Sequence, residues 1–332
     1  MKRVLLTGAS GFVGSHVLRH IMVTTDWEVV SLCSFRHMGK SDRITQQMEG
    51  QDWNRLKVLM HDLRAPISDQ LAHDIGKVDY VLNVASESHV DRSIEQPREF
   101  VENNVALVLT VLDYVRRYPA KMLHVSTDEV YGPAIDHNHK EGEPHRPSNP
   151  YSASKSAQES IIYAYRRTYG LEVAISNTMN IIGEMQDPEK FMPMVMQKVA
   201  AGEPMTIHAS AEGVIGSRYY LHARNQADAL LFLLKNVDFA KYIPGEADMP
   251  RFNVVGESEV NNLEMAQMIA TAMGKELNFE LVDFHSSRPG HDLRYALDGV
   301  KMAELGWKAP YSLEQSILRT VSWTMENPKW LR

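Results

Sequence analysis

In Val4-Leu5-Leu6-Thr7-Gly8-Ala9-Ser10-Gly11-Phe12-Val13-Gly14, a short apolar run breaks into glycines at three-residue spacing. The run Val4-Leu5-Leu6 reads as a buried first strand. Phe12, Val13, Val17, Leu18 and Ile21 then recur at helical spacing. Strand, glycine turn and helix together form the context that lifts such a pattern above chance. Without a Cβ at Gly8 and Gly11, the turn can be tight and a pyrophosphate can approach the backbone. Without one at Gly14, the helix packs closely on the strand. The helix start then offers free N–H groups to phosphates. Gly8, Gly11, Phe12, Val13 and Gly14 are therefore candidate dinucleotide-binding residues.

Working outward, Trp27–Cys33, Leu56–Met60, Asp79–Ala85, Met122–Val125 and Leu171–Ser176 read as five further strands. Helical spacing runs from about 94 to 118 and from 152 to 169. Six strands alternating with helices predict an α/β fold: a doubly wound, Rossmann-type parallel sheet. After Asn180 the elements become short and mixed. Residues 1–180 are assigned to a dinucleotide-binding domain and 181–332 to a smaller, interleaved α/β substrate lobe. Phe252–Gly256 reads as a strand returning to the main sheet.

The strand ends supply further nucleotide candidates. An NAD site usually has Asp or Glu at the end of its second strand, on the ribose hydroxyls. Cys33 stands there, followed by Ser34, Arg36, His37 and Lys40. A missing acid beside cations could accommodate a 2′-phosphate, so NAD and NADP both stay open. Asp62 and Leu63 follow the third strand, where an acid can reach the adenine amine. Ala85 ends the fourth, and the polar loop Ser86–Ser93 lies at the same edge.

The chemistry centres on Ser126-Thr127-Asp128-Glu129-Val130-Tyr131-Gly132, at the end of the fifth strand. In open α/β sheets that edge is where ligands bind. Tyr151 and Lys155 lie four residues apart and share a helix face. An unperturbed tyrosine, with a pKa of about 10, is a poor base at neutral pH. A neighbouring ammonium favours the phenolate. Such a tyrosine can take a proton from a sugar hydroxyl while a hydride leaves the same carbon for a nicotinamide. Plain oxidation needs only Thr127, Tyr151 and Lys155. Adjacent Asp128 and Glu129 suit elimination of water, one group removing a carbon-bound proton and the other protonating the leaving hydroxyl.

At these residues the chain resembles the extended short-chain dehydrogenase/reductase family, and within it the nucleotide-sugar 4,6-dehydratases of the dTDP-glucose type. Four stretches carry the resemblance: Gly8–Gly14; Glu87–Ser93; Thr127–Gly132 with Tyr151–Lys155; and Arg288–Asp292 with Arg294–Ala296. It implies a nucleoside diphosphate hexose as substrate and a tightly bound, recycled nicotinamide. It also implies that Tyr151 takes the C4 hydroxyl proton and Thr127 bonds the C4 oxygen. Glu129 would remove the C5 proton and Asp128 protonate the departing C6 hydroxyl, giving a 4-keto-6-deoxy sugar. Lys155 would tune Tyr151 and hold the nicotinamide ribose. Ser88, His89, Asn180, Arg218, Asn253, Arg288 and His291 are the implied substrate residues. The resemblance further implies a homodimer through helices near 98–117 and 152–169. The chain departs from the group at Cys33, at Thr178–Glu184 and at Ser217–Tyr220.

Two rival functions stay in view. An epimerase or decarboxylase of nucleotide sugars would keep Tyr151 and Lys155 without needing both acids. A catalytically idle cofactor-binding protein would need none of them. The 332 residues carry a net charge of −7 with no basic block, which argues against a nucleic-acid partner. No 18-residue apolar run argues for a membrane span, and the opening is too short for a signal-peptide core. The expectation is a cytoplasmic protein. A single cysteine, Cys33, allows no internal disulfide. Asp136, His137, His139 and His145 sit in a polar loop without helical ligand spacing, so no metal is expected.

Overall fold

The structure is a computed structural model that describes residues 1–240, 249–283 and 292–332. Seven parallel strands form its main sheet: β1 (Arg3–Thr7), β2 (Glu28–Cys33), β3 (Leu56–Met60), β4 (Tyr80–Asn83), β5 (Lys121–Thr127), β6 (Val173–Thr178) and β10 (Arg251–Val254). Their order is β10-β6-β5-β4-β1-β2-β3. The order reverses at β1, which pairs with β2 on one side and β4 on the other. A doubly wound sheet opens a crevice at that point, beyond the carboxyl ends of its strands.

Alternation along the strands sorts side chains into two layers. Val4 and Leu6 face one core with helices Phe12–Thr24 and Ala223–Asn236. Leu5, Val30 and Leu32 face the other, under helices Pro97–Arg117 and Pro150–Tyr169. β3 is the edge strand, and its Val58 and Met60 stay exposed. The helical pattern expected over 94–118 is divided into Val90–Glu95 and Pro97–Arg117. Pro97 has no N–H to continue the first ladder, so it starts a new helix instead.

The remaining strands are β7 (Asn180–Ile182), β8 (Met205–Ala209), β9 (Ser217–His222), β11 (Glu259–Asn261) and β12 (Phe279–Asp283). They form two small sheets, β11-β9-β7 and β12-β8. A separate apolar cluster fills this part, with Met192, Met196 and Met205 buried among Ile207, Met265 and Ile317. Among the described residues, no helix is long and apolar enough to cross a membrane.

Candidate active site

The glycine turn is built from backbone alone. Gly8 has φ +79°, and its N–H bonds Leu32 O at 2.9 Å. A Cβ on Gly8 would lie 3.1 Å from the Ala85 Cα, and one on Gly14 would lie 2.1 Å from the Gly8 carbonyl oxygen. Thr7 ties the neighbouring strand ends together. Its hydroxyl donates to Asn83 Oδ1 at 2.8 Å and accepts the N–H groups of Val84 and Ala85 at 3.1 Å. The helix Phe12–Thr24 starts at Gly11 with no side-chain cap. A crowded glycine floor under an uncapped helix start fits a dinucleotide pyrophosphate.

A cleft of about 420 Å³ runs from this floor across the sheet edge. Gly8, Gly11, Phe12, Val13, Gly14, Ser34, Arg36, Asp62, Leu63 and Ala85 all line it. Cys33 does not. Leu32 and Ser34 face the cleft side, so strand alternation turns Cys33 to the opposite core, its Sγ 3.4 Å from the Ser31 hydroxyl. Arg36 is not a free cation. Its guanidinium donates to Asp62 at 2.8 Å, and Arg64 donates to the same carboxylate at 2.7 Å. The Arg64 hydrogen bond, with help from Arg36, holds the Asp62 carboxyl well below the usual range.

At the end of β5 the chain turns through one 3-10 segment, Asp128–Tyr131. Thr127 caps it, accepting the Glu129 N–H at 3.3 Å and donating to Asp128 Oδ1 at 2.9 Å. The segment stops at Gly132, where φ is +82° and a Cβ would meet the Arg146 carbonyl oxygen at 2.4 Å. Burial pushes Asp128 up to about 6. Burial and then the charge of Asp128 push Glu129 up to about 7. Both acids are therefore brought close to neutral pH, the range in which a carboxyl can both give and take a proton.

Tyr151 and Lys155 enter from the first turns of helix Pro150–Tyr169. Asn149 caps that helix in a reciprocal box with Ser152, and its amide also donates to Glu129 Oε2 at 3.2 Å. Asn149 thus holds both Glu129 and the helix that carries Tyr151. The sequence reading missed it, although an Asn before Pro150 is a strong cap signal. The Tyr151 N–H donates to Ser93 Oγ at 3.1 Å.

The expected tuning of Tyr151 by Lys155 takes a different form. The ammonium points to the Val125 carbonyl at 2.8 Å and to His124 Nε2 at 3.4 Å. Burial lowers Lys155 to about 7. Burial, Glu129 and Asp128 all raise Tyr151. The surroundings in this chain therefore favour the protonated phenol.

The expected substrate residues divide. Ser88, His89 and Asn180 line the cleft with Thr127, Asp128, Glu129, Tyr151 and Lys155. Arg218 sits behind the acids. It donates to the Asp292 carbonyl at 2.7 Å, lies 4.8 Å from the Tyr295 ring, and its charge partly offsets the rise of both carboxyls. Asn253 does not line the cleft, and its buried Oδ1 has no partner among the described residues. It is fully buried in β10, and its amide donates to the His139 carbonyl at 3.0 Å, away from the cleft wall. Arg288 and His291 lie outside the described residues. Lys190 lines the cleft, was not anticipated, and reaches the Ser88 carbonyl at 3.4 Å.

The sequence profile of the GDP-mannose 4,6 dehydratase family matches residues 5–320. A probable dTDP-glucose 4,6-dehydratase of Sinorhizobium fredii is 35% identical, over 99% of this chain and 94% of that protein. The dTDP-glucose 4,6-dehydratase of Escherichia coli is 32% identical, over 99% and 95%. Among solved structures, the dTDP-glucose 4,6-dehydratase DesIV of Streptomyces venezuelae, with NAD and TYD bound, superimposes with a TM-score of 0.86. That pair is 32% identical over 99% of this chain and 98% of the other. The chain belongs to the GDP-mannose 4,6-dehydratase family of extended short-chain dehydrogenases/reductases.

Proposed function

We propose that the protein is a nucleotide-sugar 4,6-dehydratase, a hydro-lyase that converts a nucleoside diphosphate hexose of the dTDP-glucose kind to its 4-keto-6-deoxy product. The observation that carries this is the pair Asp128–Glu129, two carboxyls with raised pKa in one cleft with Thr127 and Tyr151. An epimerase has no use for both acids.

The roles follow from position. Thr127 bonds the C4 oxygen and Tyr151 takes the C4 hydroxyl proton. A nicotinamide cofactor held by the Gly8–Gly14 turn and Lys155 would supply the hydride acceptor for C4 and the hydride donor for C6. The C4 ketone acidifies the C5 proton, which Glu129 removes. Asp128, next to Glu129 on the same turn, protonates the departing C6 hydroxyl. Lys155 holds the ribose from beneath. Ser88, His89 and Asn180 flank the sugar, and the residues from 181 onward supply the nucleotide side.

We read the cofactor as NAD. Arg36 is engaged by Asp62, so a 2′-phosphate would have to break an existing ion pair; the similar DesIV structure carries NAD. Two copies would pair through helices Pro97–Arg117 and Pro150–Tyr169, which lie against each other and leave Tyr163 and Tyr169 partly exposed. The test is mass spectrometry after incubation with a panel of nucleotide hexoses that includes dTDP-glucose. Loss of one water from one member, without net cofactor consumption, is expected. Unchanged mass with isomerised sugar would point to an epimerase.

A further inference from the structure

Outside the cleft, the loop from Gly132 to Asn149 gathers His137, His139 and Glu143 so that one ligand atom from each lies within 4.8 Å of the others. This differs from the set grouped by sequence spacing. His145 turns away to the Ser156 hydroxyl at 2.8 Å, and Glu143 takes its place. We propose that this loop binds one divalent transition metal ion, Zn²⁺ foremost, through His137 Nε2, His139 Nδ1 and Glu143 Oε2.

The three inner atoms already converge. Glu143 Oε2 lies 3.1 Å from His137 Nε2 and 2.8 Å from His139 Nδ1. Ligands of a tetrahedral zinc, at bonds of about 2.0–2.1 Å, stand about 3.3 Å apart. A small outward movement of an exposed imidazole makes room for an ion.

The outer atoms are anchored as metal ligands usually are. His137 Nδ1 faces Asp136 Oδ1 at 2.7 Å, and His139 Nε2 faces the Pro133 carbonyl at 3.4 Å. Both partners can only accept, so a metal ion that took the inner nitrogens would leave each ring proton on the outer nitrogen with an acceptor to meet it. Glu143 Oε1 accepts the Lys140 N–H at 2.8 Å, which leaves Oε2 for the histidines. Such outer contacts fix tautomer and orientation in metal sites. Two imidazoles and one carboxylate are a donor set that suits zinc. His137 is half exposed, so the fourth position opens to water.

The backbone around the site is tied down. Arg294, paired with Glu259, donates to the His137 carbonyl at 3.2 Å and to Asn138 Oδ1 at 2.7 Å. The His139 ring stacks on Tyr131, the last residue of the catalytic turn, at 5.4 Å. An ion here would clamp the segment that joins that turn to the Asn149 cap. Its role is structural.

The test uses the full chain, stripped with chelator and dialysed against zinc at about 10 µM free ion, a level that fills a site of micromolar affinity. Metal per chain is counted by plasma mass spectrometry, and the thermal midpoint is read with and without zinc. The expected result is one zinc per wild-type chain and a midpoint raised by zinc. His137→Ala and Glu143→Gln should each bind at least tenfold more weakly and lose that rise. His73→Ala, at an exposed histidine elsewhere, should bind as wild type does. No zinc on the wild type, or equal zinc on wild type and His137→Ala, would overturn the proposal and leave the three side chains as a hydrogen-bonded cluster.

Discussion

Thr127 and Asp128 share a single hydrogen bond, the hydroxyl donating to Oδ1 at 2.9 Å, and Asp128 Oδ2 is left buried with no partner among the described residues. An unsatisfied carboxyl oxygen in a cleft is costly unless a ligand uses it. In the proposed reaction the departing hydroxyl of the substrate is that ligand. Asp128→Asn with Glu129→Gln should therefore leave C4 oxidation in place, read as reduced nicotinamide absorbance, and slow water loss by about 10²–10⁴-fold. Tyr151→Phe should abolish the absorbance change itself. A double variant that makes product at the wild-type rate would contradict the assigned roles.

The same two acids make stability depend on pH. Their folded values, about 6 and about 7, lie above those of an unfolded chain. The folded protein then binds more protons than the unfolded one between about pH 4 and pH 7, so stability falls as pH rises through that window. Denaturant unfolding of the cofactor-free protein should show this loss between about pH 4 and pH 7. In Asp128→Asn with Glu129→Gln the loss should be smaller by on the order of 3 kcal/mol. Equal pH slopes for the two proteins would contradict the raised carboxyls.

Gly14 sits where a Cβ would be 2.1 Å from the Gly8 carbonyl oxygen, a backbone atom with little freedom to move. Gly14→Ala should cost about 1–3 kcal/mol through overpacking. It should also spoil the phosphate cradle, so that the purified variant retains far less cofactor than wild type, as read by absorbance after denaturation.

Asp62 decides how much of Arg36 is available to a phosphate. Asp62→Asn removes the charge that engages both Arg36 and Arg64. Titration of the cofactor-free variant should show its preference for NAD over NADP reduced several-fold, chiefly through tighter NADP binding. An unchanged ratio would show that Arg36 does not face the ribose.

The sheet was legible because its signals are local: apolar runs closed by glycine or polar edges, with helical spacing between them. Glycines 8, 11 and 14 announced the nucleotide floor for the same reason, since each acts through its own missing Cβ. The direction of Cys33 was not legible from strand-end position alone. It follows from the pleat, which gives Leu32 and Ser34 to the cleft and residue 33 to the core. That Asn253 lies off the cleft was not legible either, because its partner, the His139 carbonyl, is 114 residues distant in sequence. The turning of Lys155 toward Val125 and His124 likewise depends on the depth of a strand in the assembled sheet. Glu143 joined His137 and His139 through a loop conformation that no helical spacing encodes.

The central claim is that one cleft oxidises C4, eliminates water across C5 and C6, and reduces C6. The most direct test is turnover of dTDP-glucose carrying deuterium at C4, followed by mass spectrometry and NMR of the product. The account predicts a product lighter by one water that keeps the deuterium, now on C6. A product without water loss, or one that has lost the deuterium to solvent, would contradict it.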